Sequence, residues 1–169
     1  MDVIEAIHTR RSIRQYTDQP VSDETVEELL KAAMMAPSAG NEQPWHFIVI
    51  RDRSILNRIP SAHPYAEMAP SAQLAILVCG DVKLERYKGF WVQDCSAATQ
   101  NLLLAAHAMG LGAVWCGVYP AGDRVEGIVR LMGLPENVIP FALIPLGYPA
   151  EKKPTPDRFD KTRIRYEKW

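Results

Sequence analysis

The sequence predicts a single domain in which helices pack against a sheet of about four strands, as an α/β or α+β fold. Short apolar runs of strand length are interleaved with segments of helical periodicity along the whole chain. The chain has 169 residues, enough for one domain with a substantial core. Hydrophobic residues make up 47% and charged residues 23%, the balance of an ordinary soluble globular protein.

Helical periodicity predicts five helices. The second helix has Ser22 as its N-cap, acidic residues in its first turn, and Pro37 beyond its end. The longest is apolar almost all the way round, so we expect it to be buried between layers or between subunits. The predicted helices lie at residues 2–8, between Ser22 and Pro37, near 54–58, and at 91–109 and 123–132.

Four apolar or β-branched runs predict strands, at Trp45–Ile50, Ala75–Cys79, Ala113–Tyr119 and Val138–Gly147. The last run contains Pro140 and Pro145, which cannot donate to a ladder, so it is expected at a sheet edge or with a bulge. Residues 60–70 hold three prolines and predict a loop or lid with little regular structure beyond helical turns near Met68.

Charge and cysteine content exclude several classes of protein. The formal net charge of −1 provides no overall field that would favour a nucleic acid or an anionic membrane. The three cysteines have no paired spacing and the four histidines lack metal-ligand spacing, so we expect free buried thiols and no metal site. Neither a signal peptide nor a membrane-spanning run is recognisable, which predicts a cytosolic protein.

No side-chain catalyst is apparent. There is no Gly-x-Ser-x-Gly elbow, no phosphate-binding P-loop and no cysteine with a basic partner nearby in sequence. Gly110-Leu111-Gly112 precedes a predicted strand and lacks the third glycine of a dinucleotide fingerprint. An enzyme of this kind would take its chemistry from an organic cofactor, with the protein supplying position and electrostatics.

Basic residues are concentrated at both ends of the chain. Arg10, Arg11 and Arg14 surround Ser12, and guanidinium forks suit phosphate because they donate paired, charge-assisted hydrogen bonds. An anion held between the termini would explain both clusters, and solvated chain ends would explain them equally well. The C-terminal cluster comprises Lys152, Lys153, Arg158, Lys161, Arg163, Arg165 and Lys168.

The loop Pro37–Trp45 connects a predicted helix to a predicted strand. It is stiffened by two prolines and carries short polar side chains at Ser38, Asn41 and Gln43. Such a loop is suited to holding a ligand, although a plain structural connector is the commoner role for a loop of this length.

Two motifs together resemble the nitroreductase family of FMN-dependent oxidoreductases, and its compact members in particular. The first is Met-x₅-Ile-x₂-Arg-Arg-Ser-Ile-Arg, ending at Arg14, and the second is Ala-Pro-Ser-Ala-Gly-Asn-Glu-Gln-Pro-Trp-His-Phe, ending at Phe47. Later landmarks extend the resemblance over essentially the whole chain, at 100–106, 110–115 and 146–149.

The resemblance implies an α+β fold with a mixed, mostly antiparallel sheet of four to five strands flanked by helices. It implies one domain over residues 1–169 and an intertwined homodimer in which the tail 148–169 packs on the partner subunit. Two FMN sites would lie at the subunit interface, each built from both chains. NADH or NADPH would reduce the flavin, and a small acceptor such as a nitroaromatic or a quinone would reoxidise it.

The resemblance also assigns site residues, motif by motif. Arg10, Arg11, Ser12 and Arg14 would meet the phosphate and the flavin edge. Arg158 best matches the family's late phosphate-binding residue, with Lys153, Lys161 and Arg163 as alternatives. The partner's loop would contribute Pro37, Ser38, Ala39, Asn41 and Gln43, and the segment facing flavin N5 would be Trp115, Cys116 and Gly117.

No catalytic side chain is implied, since the flavin carries the chemistry. Two alternatives remain at this point. One is a specialised relative that removes halogen or fragments flavin, and the other is a flavin-binding module without turnover.

Overall fold

A five-stranded antiparallel sheet forms the centre of the protein, which is described by a computed structural model of residues Met1–Trp169. The strands lie in the order β1-β2-β5-β3, and β4 also pairs with β5. All the paired strands are antiparallel, and an isolated bridge between Ser12 and Ala113 adds a parallel pairing. The strands are β1 (Trp45–Ile50), β2 (Leu74–Asp81), β3 (Gly112–Ala113), β4 (Cys116–Gly117) and β5 (Val138–Gly147).

Five helices cover the two faces of the sheet. As predicted, Ser22 caps the second helix, its side chain accepting a hydrogen bond from the amide of Thr25. The last helix ends at Gly133, whose φ of +64° suits glycine at a helix C-terminus. The helices are α1 (Val3–Thr9), α2 (Asp23–Met34), α3 (Arg53–Ala62), α4 (Trp91–Ala108) and α5 (Gly122–Met132).

The sheet separates two hydrophobic clusters. Helices α2 and α4 cover one face, where Leu29, Leu102 and Ile144 are fully buried. Helices α3 and α5 cover the other, around Leu56, Ile128 and Leu143. Strand β2 is buried on both faces, as its continuous apolar run predicted.

The prediction that β5 is an edge strand is wrong, while the predicted bulge is confirmed. β5 pairs with β2 on one side and with β3 and β4 on the other. The register shifts between Val78 and Cys79, opposite Pro140, and this bulge accommodates the first proline. The carbonyl of Pro145 accepts a hydrogen bond from Val114, so the backbone of Pro145 faces the gap between β3 and β4. The N–H that this proline lacks would therefore fall where the ladder is already interrupted.

Three other local predictions needed correction. The expected strand Ala113–Tyr119 is broken into β3 and β4 because residues 114–115 leave the ladder. Helix α3 continues to Ala62 instead of ending near Arg58. The segment 60–70 begins with the end of α3 and its Ala66 is fully buried, so it is not an open lid, whereas the helical turn expected near Met68 is present as a 3-10 turn at Ala69–Ser71.

The three cysteines are buried and unpaired. None of the helices combines the length and the apolar character needed to cross a membrane. No group of histidine, cysteine, aspartate and glutamate side chains has the arrangement of a metal site.

Candidate active site

The two ends of the chain meet beside β3. The amide of Thr17 donates to the carbonyl of Tyr148 at 2.9 Å, and the amide of Ala150 donates to the carbonyl of Gln15 at 2.9 Å. Between these bonds Tyr16 and Pro149 form an antiparallel bridge. The segment that carries the N-terminal arginines is therefore fixed against the start of the C-terminal tail.

Arg10, Arg14 and Arg158 present guanidinium groups with no hydrogen bond or ion pair inside the chain. Burial lowers the pKa of Arg10, and the nearby charges of Arg11 and Arg158 lower it further. Clustered cations that repel one another and lack partners are suited to an anion, because a phosphate would relieve the repulsion and accept their hydrogen bonds. The two basic clusters thus do converge.

Arg11 behaves differently from its neighbours. Its Nε donates to the carbonyl of Pro154 at 3.1 Å and its Nη2 to the carbonyl of His8 at 2.6 Å, while Nη1 contacts the carbonyl of Arg10. The side chain therefore ties the tail to the end of α1. Its predicted cofactor contact stays a prediction, and its donors are already engaged.

Two of the alternative basic residues in the tail are paired elsewhere. Lys153 lies 3.4 Å from the carboxylate of Glu151, and Arg163 lies 3.1 Å from that of Asp160. Arg158 instead lies near Arg10 and borders a cavity of about 540 Å³ between α1 and the tail. Of the predicted tail candidates, Arg158 is thus unpaired and beside Arg10, whereas Lys153 lines a second cavity, of about 340 Å³, together with Thr9 and Arg11.

Gly117 ends β4 at the edge of the site. A Cβ at this position would meet no atom within 4 Å, and the backbone φ is not positive, so neither packing nor conformation requires glycine here. The open space beside it suits the close approach of a flat ligand. Gly117 lies four residues after Ala113, the residue that forms a bridge with Ser12. The two residues are therefore at most about 13 Å apart along an extended chain.

Trp115 and Cys116 turn to opposite faces of the sheet. The Trp115 ring packs edge-on against Phe141, with the ring centroids 5.5 Å apart, and remains partly exposed. The thiol of Cys116 is buried against the carbonyl of Tyr65 at 3.7 Å. Burial raises the pKa of Cys116 to about 11, so the thiol stays protonated at neutral pH and is not poised as a nucleophile.

The loop Pro37–Trp45 has a defined shape. Gly40, Asn41 and Gln43 all have positive φ, between 46° and 54°. The Oγ of Ser38 accepts from the amide of Gln43 at 3.0 Å, and the side chain of Gln43 donates to Asn41 Oδ1 at 2.8 Å. These polar side chains therefore hold one another, and Ser38 borders a cavity of about 360 Å³ together with Pro37 and Ala39.

Two buried carboxyl groups anchor this loop. Asp94 Oδ1 accepts a hydrogen bond from the amide of Ala39 at 2.9 Å. Glu42 Oε2 accepts from the amides of Arg86 and Tyr87 at 2.6 and 3.0 Å. Sequence reasoning missed Glu42, which looks like an exposed loop residue when read alone.

The loop and the arginines lie at opposite ends of α4. Ala39 bonds to Asp94 in the first turn, whereas Thr9, next to Arg10, bonds to His107 in the last turn at 2.7 Å. Thirteen residues of helix separate these anchors, or about 20 Å. One chain therefore places Arg158 beside Arg10 and Arg14 near Cys116, and keeps the loop residues apart from the arginines.

Sequence reasoning also missed a pair of side chains behind Gly117. His63 Nε2 and Arg124 Nη1 both donate to the carbonyl of Gly117, at 2.8 and 3.0 Å. His63 lies 54 residues before Gly117 and Arg124 lies seven residues after it. An isolated histidine in a proline-rich stretch and one arginine on a helix carry no signal that would have linked them to this strand.

Comparison with known proteins agrees with the geometry. The sequence model of the nitroreductase family matches residues 7–89 and 61–148. A protein of Methanothermobacter thermautotrophicus, provisionally named NADH dehydrogenase/NAD(P)H nitroreductase, is 62% identical over 169 residues, covering 100% of this chain and 88% of that protein. A crystal structure from Parabacteroides distasonis with the same provisional name has a TM-score of 0.95 and 41% identity, covering 99% of this chain and 98% of the other.

A further solved structure contains the expected cofactor. A provisionally named nitroreductase from Desulfovibrio desulfuricans, solved in complex with FMN, has a TM-score of 0.86 and 35% identity, covering 100% of this chain and 98% of that one. These likenesses span the entire fold, including both ends that form the basic cluster. The chain belongs to the nitroreductase family.

Proposed function

We propose that this protein is an FMN-dependent oxidoreductase that uses NADH or NADPH to reduce a small acceptor such as a nitroaromatic or a quinone. The observation that carries the proposal is the set of unpaired guanidinium groups of Arg10, Arg14 and Arg158, within reach of the open strand end at Gly117. The FMN complex of the Desulfovibrio relative and the NAD(P)H-linked name of the Methanothermobacter relative support it.

The residues present suit FMN at both ends. Arg10, Ser12 and Arg158 would hold the phosphate, and Arg14 would meet the flavin edge. Gly117 would admit the ring system because no side chain blocks its approach. FMN, when bound, supplies the redox chemistry by accepting a hydride from the nicotinamide and passing electrons to the acceptor. The chain itself binds and orients, and it offers no ionised thiol or metal centre for a competing reaction.

The proposal includes a homodimer. The loop that the resemblance assigns to the flavin lies about 20 Å along α4 from the arginines of its own chain, so a partner would have to bring it to the site. Apolar side chains that a second copy would cover are exposed on α1 and on the tail, namely Val3, Ile4, Ile7, Phe159, Tyr166 and Trp169. A second copy would bury them and complete the site at once.

A visible spectrum of the purified protein, followed by anaerobic titration with NADH and with NADPH, tests the proposal. We expect bound FMN, bleaching by at least one nicotinamide, and steady turnover when a quinone or nitroaromatic is added. A protein that is colourless and does not bind added FMN would contradict the proposal. Flavin that binds and is reduced without steady turnover would identify a binding module instead.

The specialised alternative gains no support from the structure. The segment 60–70, where an additional lid would be expected, is folded beneath β4 with His63 and Ala69 fully buried. Screening of the reduced enzyme against halogenated aromatics would detect that activity directly. The cytosolic location stays a prediction.

A further inference from the structure

The carbonyl of Gly117 accepts hydrogen bonds from two side chains that lie in different segments of the chain. His63 follows α3 and donates through Nε2, and Arg124 lies on α5 and donates through Nη1. A carbonyl oxygen has two lone pairs, and here both are used by side chains. Residues 114–115 have left the ladder, so these two bonds reinforce a short strand that is otherwise held by its pairing with β5 and by the bond from the Val118 amide to the carbonyl of Phe141 at 3.0 Å.

The two donors lie on the sheet face that α3 and α5 cover. His63 is fully buried, and the guanidinium of Arg124 lies over the ring of Tyr65 at 4.7 Å. Burial lowers the pKa of His63, which keeps the ring neutral at pH 7. Because a carbonyl can only accept, the proton of this neutral ring lies on Nε2.

The arrangement carries an energetic cost that packing does not explain. His63 Nδ1 and Arg124 Nε are buried without hydrogen-bond partners. Each such group has given up its hydrogen bond to water without gaining one inside the protein. A leucine or methionine would fill the same space without that cost, so the donors are explained by what they hold. They hold the peptide that joins Gly117 to Val118, and Gly117 itself carries no side chain.

We propose that His63 and Arg124 are positioning residues that fix the Gly117 peptide against the flavin and thereby favour its reduced form over its oxidised form. This rests on the proposed function, because Gly117 acts only if FMN lies beside it. Reduced FMN carries more electron density on its ring, so an oriented peptide dipole and a nearby guanidinium charge stabilise it more than the oxidised ring. Loosening the peptide would weaken reduced FMN selectively.

The test compares Arg124→Met and Arg124→Lys, with Arg130→Met as a matched control on the exposed side of the same helix, where Arg130 pairs only with Glu126. His63→Leu and His63→Gln form a second pair, in which the glutamine retains an Nε2 donor. The first measurement is amide exchange of Val118 in the full-length protein without FMN. The second is the midpoint potential of bound FMN, with the dissociation constant of oxidised FMN measured alongside.

We expect Arg124→Met to speed exchange at Val118 about tenfold and to leave the affinity for oxidised FMN within about threefold of the parent. We expect reduced FMN to bind about tenfold more weakly, which lowers the potential of a two-electron couple by about 30 mV. Arg124→Lys and His63→Gln should recover most of both effects, and Arg130→Met should show neither.

Faster exchange with an unchanged potential would overturn the proposal and leave a purely structural clamp. Unchanged exchange in Arg124→Met would overturn it as well. His63 is in the core, where a substitution can unfold the protein, but Arg124 is only half-buried, so its variants decide the question alone. A parent protein that binds no FMN would refute the proposed function. If the parent binds FMN and the Arg124→Met variant has the same midpoint potential as the parent, only this inference is refuted.

Discussion

Glu42 and Asp94 form a buried carboxyl pair that fastens the loop Pro37–Trp45 to the first turn of α4. Glu42 is 8% exposed and Asp94 is 4% exposed, and the two carboxyl groups lie close enough for each to affect the pKa of the other. One oxygen of each acid accepts from backbone amides, whereas Glu42 Oε1 and Asp94 Oδ2 have no other partner. Two carboxyl groups so placed share a proton, since both cannot be ionised cheaply in a buried site.

The proton belongs mainly to Asp94. Burial raises the pKa of Asp94, the amide of Ala39 opposes this, and the adjacent Glu42 raises it further. Burial alone would also raise the pKa of Glu42, but the amides of Arg86 and Tyr87 bring it below the usual value. A folded-state pKa above the unfolded one means that stability falls as pH rises from the ordinary aspartate value of about 3.9 through the raised pKa of Asp94.

Asp94→Asn should therefore abolish this loss of stability on the alkaline side. The amide keeps an oxygen for Ala39 and supplies a permanent donor to Glu42. We expect the melting temperature of the variant to decline less between pH 5 and pH 8 than that of the parent, with a gain at pH 8 of about 1 kcal/mol, or 2–4 °C. Thermal unfolding across this range measures it.

Glu42→Gln is the control, because it removes the carboxylate that the two amides of residues 86 and 87 favour. We expect it to lower stability at every pH above the ordinary glutamate value. If Asp94→Asn followed the same pH profile as the parent, the shared proton would be excluded.

Arg158→Ala should separate cofactor affinity from fold stability. The guanidinium has no partner inside the chain and repels Arg10, so its removal should leave the melting temperature of the FMN-free protein unchanged or slightly raised. FMN affinity should fall by roughly 1.5–3 kcal/mol, the scale of one charge-assisted bond. Titration of the apoprotein with FMN, alongside Lys168→Ala as an exposed tail control, measures the difference.

Arg14→Ala should lower FMN affinity by a similar amount, roughly 1.5–3 kcal/mol. Its backbone amide, which donates to Glu151 at 2.6 Å, is retained in the variant, so the local chain path should not change. An unchanged FMN dissociation constant would show that this arginine is only part of the surface.

Gly40→Ala should distort the loop. Gly40 has a φ of +52°, and an added Cβ would lie 2.3 Å from the ring of Tyr87. Gly89→Ala provides a matched control, because its φ of +90° strains alanine while its Cβ would meet nothing within 4 Å. Backbone strain should lower the unfolding free energy of both variants by about 1–3 kcal/mol. Gly40→Ala should lose more because its Cβ also clashes with Tyr87. Equal unfolding free energies for the two variants would show that Tyr87 moves aside at no cost.

Subunit mixing should reveal which chain supplies the loop. Arg158→Ala disables the phosphate half of the site and Asn41→Asp places a negative charge in the loop half. If the loop serves the partner's flavin, a mixed dimer contains one site with both defects and one intact site. We therefore expect unfolding and refolding the two variants together to restore FMN binding that neither has alone. Failure to restore any binding would assign the loop to its own chain.

The regular elements were predictable because their signals are local. Strand β1 begins and ends where its aromatic and β-branched residues do, and Ser22 caps α2 as its position before two acidic residues indicated. The two prolines predicted either an edge position or a bulge for β5, and only the register with β2 and the gap beside β4 show that the strand is central and bulged.

The candidate site was predictable only in part, because some of its contacts join residues that are far apart in sequence. Its arginines and polar loop were recognisable from family motifs, whereas Glu42 and His63 act through contacts with residues 44 to 54 positions away. Nothing in the local sequence around either residue specifies such a partner. Side chains that hold a loop or a carbonyl from behind become visible only when the fold brings the distant segments together.

The meeting of the two chain ends also sets the order of events in synthesis. The bonds that join residues 15–17 to residues 148–150, and the approach of Arg158 to Arg10, close contacts across more than 130 positions. A nascent chain has made its N-terminal arginines long before the ribosome releases their counterpart. The proposed phosphate site would therefore be completed only after translation, and a chain without its last dozen residues would keep all five strands while losing Arg158 from beside Arg10.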